Sequence, residues 1–312
     1  MNTEKLVSLA LENGFSRAYV FEPERAERAF IHRMNERVSD EAKEIFPDTK
    51  RVIVLLYPYH PFETQVDKPT ISAYYFASNS AYHAAKRVAD EIEKEGYTAL
   101  SNSQIAIKPL LSQMGIGEYG LNSLISVDGL GTRFHAQIIL TDMELDVTER
   151  GEKKAFSSLC ADCGACVRAC PGGAISMDGK IDIERCIRGA DNGEIAPEWM
   201  REKFENRILG CDVCQDVCPR NKAIEYRAME KWDEELIDLS ALLDGNLKLL
   251  LDKIGRNYAR RERIRLKAIL AAANMKRRDL KDRIEEIYKN GTDKEKVHAQ
   301  WALERLNKEE NK

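Results

Sequence analysis

Two rhythms of apolar positions alternate along the first 150 residues. RAYVFE (17–22), RVIVLLYPY (51–59), SLISV (123–127) and FHAQIILTD (134–142) crowd β-branched and aromatic side chains into short runs and predict strands. Residues 2–13, 22–45 and 81–95 repeat at helical spacing instead, and 108–114 reads as a further short helix. Strands interleaved with helices suggest an α/β layer structure over 1–150. Beyond about residue 221 the strand signal disappears. AIEYRAMEKWDEELIDLSALL, RRERIRLKAILAAANM and DKEKVHAQWALERLNK read as successive helices with apolar stripes, the last two forming a pair of the HEAT kind.

Composition narrows the class. The chain has 312 residues, 43% hydrophobic and 32% charged, enough for two or three compact domains. Its longest apolar runs, such as IVLLY at 53–57, are too short to span a bilayer, so no membrane association is expected. MNTEKLVSLALENG lacks an apolar h-region, a small-residue cleavage site and a twin arginine, which predicts a cytoplasmic protein. In a reducing compartment, clustered cysteines are metal ligands sooner than disulfides.

All eight cysteines fall within 160–218. CADCGACVRACP (160–171) is C-x2-C-x2-C-x3-C-P, one half of a bacterial ferredoxin, and CDVCQDVCP (211–219) repeats its ending with Cys186 as an outlying partner. Two intervening residues let successive thiolates wrap one cubane, while the fourth cysteine, followed by proline, reaches the other cluster. The spacing therefore assigns Cys160, Cys163, Cys166 and Cys218 to one 4Fe–4S cluster, and Cys170, Cys186, Cys211 and Cys214 to a second. Zinc ribbons also use C-x2-C, but they give no reason for C-x3-C-P twice.

Charge and glycine add two further features. Lys253 to Arg283 holds twelve Lys or Arg against three Asp or Glu, in a chain whose net charge is −4. Such a run is either a solvated helix face or a phosphate-binding surface. MGIGEYGLNSLI (114–125) contains G-x-G-x-x-G at Gly115, Gly117 and Gly120. It follows a short helix and not a strand, which disfavours a dinucleotide site. A plain glycine turn and a loop packed on another flat cofactor both remain open. Tyr82-His83, read as opening a helix, and Tyr59-His60-Pro61, at a strand end, are further polar candidates.

Together these pieces resemble the epoxyqueuosine reductases, cobalamin and iron–sulfur enzymes of tRNA queuosine synthesis akin to reductive dehalogenases. The resemblance rests on PYHPFE (58–63), SAYHAAKRVADEI (80–92), GIGEYGLNSLI (115–125), ILTDMEL (139–145), RCIRG (185–189) and GCDVCQDVCPRN (210–221). The helices near the C-terminus look like a shortened form of that family's helical repeats. The resemblance implies an α+β chain in three parts. These are an α/β, nitroreductase-like domain for cobalamin and substrate (1–150), a two-cluster ferredoxin-like domain (151–222) and a short HEAT-like helical region (223–312). It implies a monomer that takes electrons from a flavodoxin or ferredoxin-type donor, passes them through both clusters to a cobalamin, and reduces epoxyqueuosine to queuosine in tRNA. It places cobalamin near Gly115, Gly117, Gly120, Asn122, Ser123, Tyr82 and His83.

Two positions depart from that family. The aspartate taken as its proton donor corresponds to Ser101, and the lysine after the third loop glycine corresponds to Leu121. A serine hydroxyl is too weak an acid to replace a carboxylic acid directly, which leaves Glu118, Tyr82 and His83 as alternative donors. Two other functions stay open. One is a cobalamin-dependent, dehalogenase-like reductase of a small molecule. The other is an electron-transfer or cobalamin-reactivating protein.

Overall fold

The computed structural model describes residues 1–26, 39–63, 67–153, 156–190 and 192–308. Helix α1 (Thr3–Glu12) is capped by Asn2, whose side chain accepts the Lys5 amide at 2.9 Å. Strand β1 (Arg17–Phe21), the one-turn helix α2 (Ala42–Ile45) and strand β2 (Arg51–Pro58) follow. The long helix expected over 22–45 is not formed at 22–26, and 27–38 lies outside the described residues. Pro23 pushes the residue before it out of the helical region, and the Ala26 amide bonds to the Asp40 carbonyl at 2.8 Å.

Strand β3 (Thr70–Ile71) leads into α3 (Ala73–Lys94), capped by the Ser72 hydroxyl. This helix begins more than two turns before the expected start at 81, so Tyr82 and His83 stand in its middle and do not open it. Next come β4 (Ala99–Ser101), α4 (Ile107–Gln113), β5 (Gly117–Tyr119), β6 (Ile125–Val127) and β7 (Phe134–Thr141). The main sheet runs β1-β2-β7-β4, each neighbouring pair antiparallel. Helices and strands therefore alternate along the chain while the main sheet stays antiparallel, an α+β arrangement.

Strand β2 explains why both sheet faces are covered. Its side chains alternate: Ile53 and Leu55 pack toward α1 and α3, whereas Val52, Val54 and Leu56 pack toward α4 and β6. Helix α3 meets the sheet through Ala81, Ala84, Ala85 and Ala89, which let its backbone approach closely.

The cysteine segment carries α5 (Ala165–Ala169), α6 (Glu198–Arg201), β8 (Arg207–Leu209) and α7 (Val213–Asp216). Strand β8 pairs in parallel with β3, a link that the sequence pattern does not announce. The tail is α8 (Lys231–Leu236), α9 (Leu239–Leu243), α10 (Lys248–Ile254), α11 (Arg261–Asn274), α12 (Lys281–Asn290) and α13 (Asp293–Lys308). The helix expected over 223–243 is broken instead. Residues 223–230 are not helical, and Asp238 caps α9 by accepting the Ala241 amide at 2.8 Å. Helices α11 and α13 pack together as expected, with α12 between them in sequence.

Within α11, Lys267 is fully buried, its ammonium 3.7 Å from the Phe204 ring centroid. On α13, His298 is equally buried, and its Nε2 accepts the Ala196 amide at 2.9 Å. Burial, then the charges of Lys267 and Arg201, pull the His298 pKa down to about 3. An unfolded histidine takes up a proton near 6.5, so the folded state loses stability as pH falls from that value toward 3. We expect His298→Gln to flatten the decline of the urea-unfolding midpoint between neutral pH and pH 4.5; an unchanged decline contradicts this assignment.

Candidate functional site

The eight thiols are free and half-buried. Cys160 ends a 3-10 turn, Cys163 precedes Gly164 (φ +54°), Cys166 lies on α5, and Cys170 caps its end. The glycine pair 172–173 has a specific task. A Cβ on Gly172 would collide with the Arg185 carbonyl, so glycine there admits the turn that leads into Cys186. The Arg185 Nε–H holds that contact, donating to the Gly172 carbonyl at 2.9 Å. Cys218 is followed by Pro219, which opens a further 3-10 turn.

Electrostatic neighbours sort the thiols into two groups. Burial, then Cys160 and Cys218, raises the Cys166 pKa, and Cys218 in turn faces Cys160 and Cys163. Burial pushes Cys211 up to about 11, with Cys186 beside it, and raises Cys214, which faces Cys211, Cys186 and Cys166. Cys166 and Cys214 are thus the neighbours through which the groups meet. A cavity of about 160 Å³ is lined by Cys160, Cys163, Cys166 and Cys218, with Leu159 65% exposed at its edge.

A second, wider cavity of about 700 Å³ opens where β4 leaves β7. Strand β4 stops at Ser101; Asn102 adopts φ +60°, and the chain turns away, uncovering the edge of β7 at 135–138. Tyr74, Ser78 and Tyr82 of α3 form one wall, and Gly255 to Tyr258 form another. Its lining contains no carboxylate among the described residues. His135 faces it with its pKa lowered to about 4, by burial first and then by the charge of Arg188.

Comparison with known proteins shows what the chain is similar to. Residues 159–221 match the 4Fe–4S double cluster binding domain. Over 201 residues the chain is 34% identical to the epoxyqueuosine reductase of Aliivibrio fischeri, covering 58% of this chain and 52% of that one. The fold matches epoxyqueuosine reductase from Streptococcus thermophilus with TM-score 0.77 at 22% identity, over 98% of this chain and 90% of that one. The relatives of this chain are epoxyqueuosine reductases. Another structural match is an epoxyqueuosine reductase with a tRNA-Tyr epoxyqueuosine-modified stem loop, at TM-score 0.75, 19% identity, and coverage of 97% and 89%. The chain spans about half the length of the curated relatives it matches.

On this epoxyqueuosine reductase fold, the residues anticipated from sequence fall in three places. Tyr82 lines the wide cavity, while His83 beside it on α3 is exposed. Ser101 closes β4, its Oγ accepting the Asn102 side-chain amide at 3.1 Å. Glu118 stands apart on β5, ion-paired with Arg220 near the Cys218 side. Of the three loop glycines, Gly115 and Gly117 abut other parts of the chain, while Gly120, with Asn122, lines the cavity of about 160 Å³ beside Cys160, Cys163, Cys166 and Cys218. A Cβ on Gly115 would meet Gly151, one on Gly117 would meet Ile125, and one on Gly120 would lie 2.8 Å from Asn122. The Asn122 side-chain amide donates to the Cys214 carbonyl at 3.4 Å, and the Ser123 carbonyl accepts from Lys108 at 2.9 Å.

The sequence reading did not single out Tyr74, Lys108, His135, Arg188 or Arg133. Arg133 has the clearest structural task. It is 2% exposed, pairs with Asp216 and, at 3.4 Å, with Asp212, and so clamps the loop of Cys211 and Cys214 onto the sheet. Asn221 reinforces the clamp, accepting the Thr132 amide at 2.8 Å and donating to the Gln215 carbonyl at 2.8 Å. Arg133→Met leaves two carboxylates without their cation, and the expected cost is about 3–5 kcal/mol, read as a lower urea-unfolding midpoint. A parental midpoint would show that the clamp carries no stability.

Proposed function

We propose that this protein is a cobalamin-dependent iron–sulfur reductase that converts epoxyqueuosine to queuosine in tRNA, acting in the cytoplasm as a monomer. The observation that carries the reading is the juxtaposition of a two-group thiol array with a wide cavity in the α+β body. In this reading residues 1–150 bind cofactor and substrate, 151–222 hold the clusters and 223–312 form the helical region.

Cys160, Cys163, Cys166 and Cys218 would hold one cluster, and Cys170, Cys186, Cys211 and Cys214 the other. The mutual proximity of Cys160, Cys166 and Cys218, and of Cys186, Cys211 and Cys214, supports this crossed division. The exposed Leu159 edge suits the approach of a flavodoxin or ferredoxin-type donor to the first cluster.

The cavity's chemistry fits cobalamin. Asn79, Asn102, Gln104, Gln137 and Asn257 offer amide partners for the carboxamides that fringe a corrin. Ile105, Ile138 and Ile254 provide apolar surface between them. Cobalamin, when bound, supplies the low-potential reductant that opens the strained carbon–oxygen bond. The protein then has to position the substrate, exclude water and deliver a proton to the leaving oxygen. Of the donors anticipated from sequence, Tyr82 is the one lining the cavity, and we assign it that task. Exposed Lys253, Arg256, Arg260 and Arg261 stand at or beside the mouth, where tRNA phosphates would pass.

One observation favours a second reading, a reductase of the same build acting on a small molecule. The cavity has no carboxylate in its described lining, and several cations of the basic stretch are already engaged within the protein or by partners on its surface. Lys267 is buried, Arg265 pairs with Glu295, and Arg283 pairs with Asp244.

Anaerobically reconstituted protein should bind about eight irons per chain; four or fewer would remove the two-cluster assignment. Hydroxocobalamin should co-elute with the protein on gel filtration, and complete separation argues against the cofactor. A deletion strain should accumulate epoxyqueuosine in its tRNA. Normal queuosine content there, with cobalamin still bound by the protein, selects the small-molecule reading.

A further inference from the structure

Turning an epoxide into an alkene consumes more protons than the reading above has placed. Two carbon–oxygen bonds break, one carbon–carbon π bond and two oxygen–hydrogen bonds form, and the oxygen leaves as water. The balance is two electrons, which the electron donor supplies through the clusters, and two protons. Tyr82 carries one of these, and the other has no assigned source. Apart from Tyr82, the proton-bearing side chains in the described lining of the wide cavity, amides aside, are Tyr74, Ser78, Ser103, His135, Arg256 and Tyr258.

Most of these are poor acids or already committed. The Ser103 hydroxyl donates to the Leu100 carbonyl at 3.0 Å. His135, with its pKa lowered to about 4, is neutral at pH 7. A guanidinium such as that of Arg256 keeps its proton throughout the working range. Tyr74 lies under Arg188, and its burial raises its pKa against the pull of that cation. The Ser78 hydroxyl points its proton at Tyr258, donating to the phenolic oxygen at 3.4 Å. Tyr258 remains, and the fold holds it firmly. Gly255 turns the chain at φ +76°, where a Cβ would lie 2.9 Å from the Asn79 Oδ1, so glycine lets this loop close on α3. The Asn79 side-chain amide donates to the Asp252 carbonyl at 3.4 Å. The Tyr258 ring meets the Tyr75 ring edge-on, with centroids 4.7 Å apart. Ser78 and Tyr82 are four residues apart on α3 and share one face, so the Tyr258 hydroxyl reaches α3 one turn away from Tyr82.

We propose that Tyr258 is the second proton donor, giving its phenolic proton to the departing oxygen after Tyr82 has given the first, and that Ser78 is the positioning residue that aims it. Each phenolate left behind recovers its proton from water. Arg256 and Asn257, next to Tyr258 in the loop, are exposed, which gives water that approach. The assignment rests on the reading above and adds to it a residue of the helical region, whose basic stretch showed only charge in the sequence.

Single turnovers of the full chain, carrying its clusters and cobalamin and reduced beforehand, on an epoxyqueuosine-modified tRNA stem loop test the assignment. Tyr258→Phe keeps the ring and its packing on Tyr75, and should slow turnover at least about tenfold while half-saturation by the stem loop stays parental. Ser78→Ala should cause a smaller loss in the same direction. Replacing Tyr258 by 3-fluorotyrosine, which restores the hydroxyl, should return most of the lost rate. Iron content and co-elution of hydroxocobalamin should match the parent in all three. A readout free of turnover is NMR of protein labelled at the tyrosine Cζ: Ser78→Ala should move the resonance that Tyr258→Phe abolishes. Parental turnover by Tyr258→Phe, loss of cobalamin in place of loss of rate, or a resonance unmoved by Ser78→Ala would each overturn the proposal and leave the reading above standing. A parent that does not convert the stem loop overturns that reading, and this assignment with it.

Discussion

Everything the thiol segment does depends on how it is pinned to the sheet, and the pin is a buried arginine. Arg133 precedes β7 and reaches Asp212 and Asp216, which flank Cys214 in sequence. Desolvating a guanidinium is costly, and here two carboxylates and the Tyr59 ring answer it. The hydrogen bonds of Asn221 to Thr132 and Gln215 add direction that charge alone lacks. Asp216 shows the cost: burial raises its pKa even as Arg133 opposes the rise. Tyr74 lines the wide cavity and its ring carries the guanidinium of Arg188, two residues beyond Cys186.

Much of this was legible in the sequence, for physical reasons that differ by region. The β2 and β7 runs are apolar because both faces of the sheet are covered, and such continuous runs announce strands strongly. The cysteine spacing is stiffer still, since few ligand sets fit C-x2-C-x2-C-x3-C-P. Helix α3 was read short because SAYYFASNSA is rich in small polar residues. Its first two turns are fixed by the Ser72 cap and by tertiary packing of Ala77 and Ser78. The tail was read as longer helices than it has, because periodicity does not reveal where Asp238 begins a new one. Strands of two or three residues, such as β3 and β8, carry too little pattern to register.

The candidate site was legible only in its covalent part. Each cysteine is visible as itself, whereas Tyr74, Lys108, His135 and Arg188 lie 27 or more residues apart in sequence and meet only through the fold. A lone histidine within FHAQIILTD carries no local signal. The glycine loop shows the reverse difficulty. Its spacing leaves a structural turn and a ligand contact both open, and in the fold Gly115 clears room for the backbone at Gly151 and Gly117 for Ile125, while Gly120 lines a cavity. Close approach of chain to chain and close approach of chain to cofactor leave the same residues behind.

The two-residue pairing of β3 with β8 has a mechanical meaning. Ser72, the cap of α3, follows β3 directly and donates its amide to the Leu209 carbonyl, and Cys211 lies two residues beyond that carbonyl. The first turn of α3 carries Tyr74 in the cavity wall. Wall and thiol strand are therefore a single lever with a short arm. The hydrogen bond from the Ser72 amide to the Leu209 carbonyl ties the start of α3 to the backbone that leads into Cys211, so the two cannot separate without breaking it.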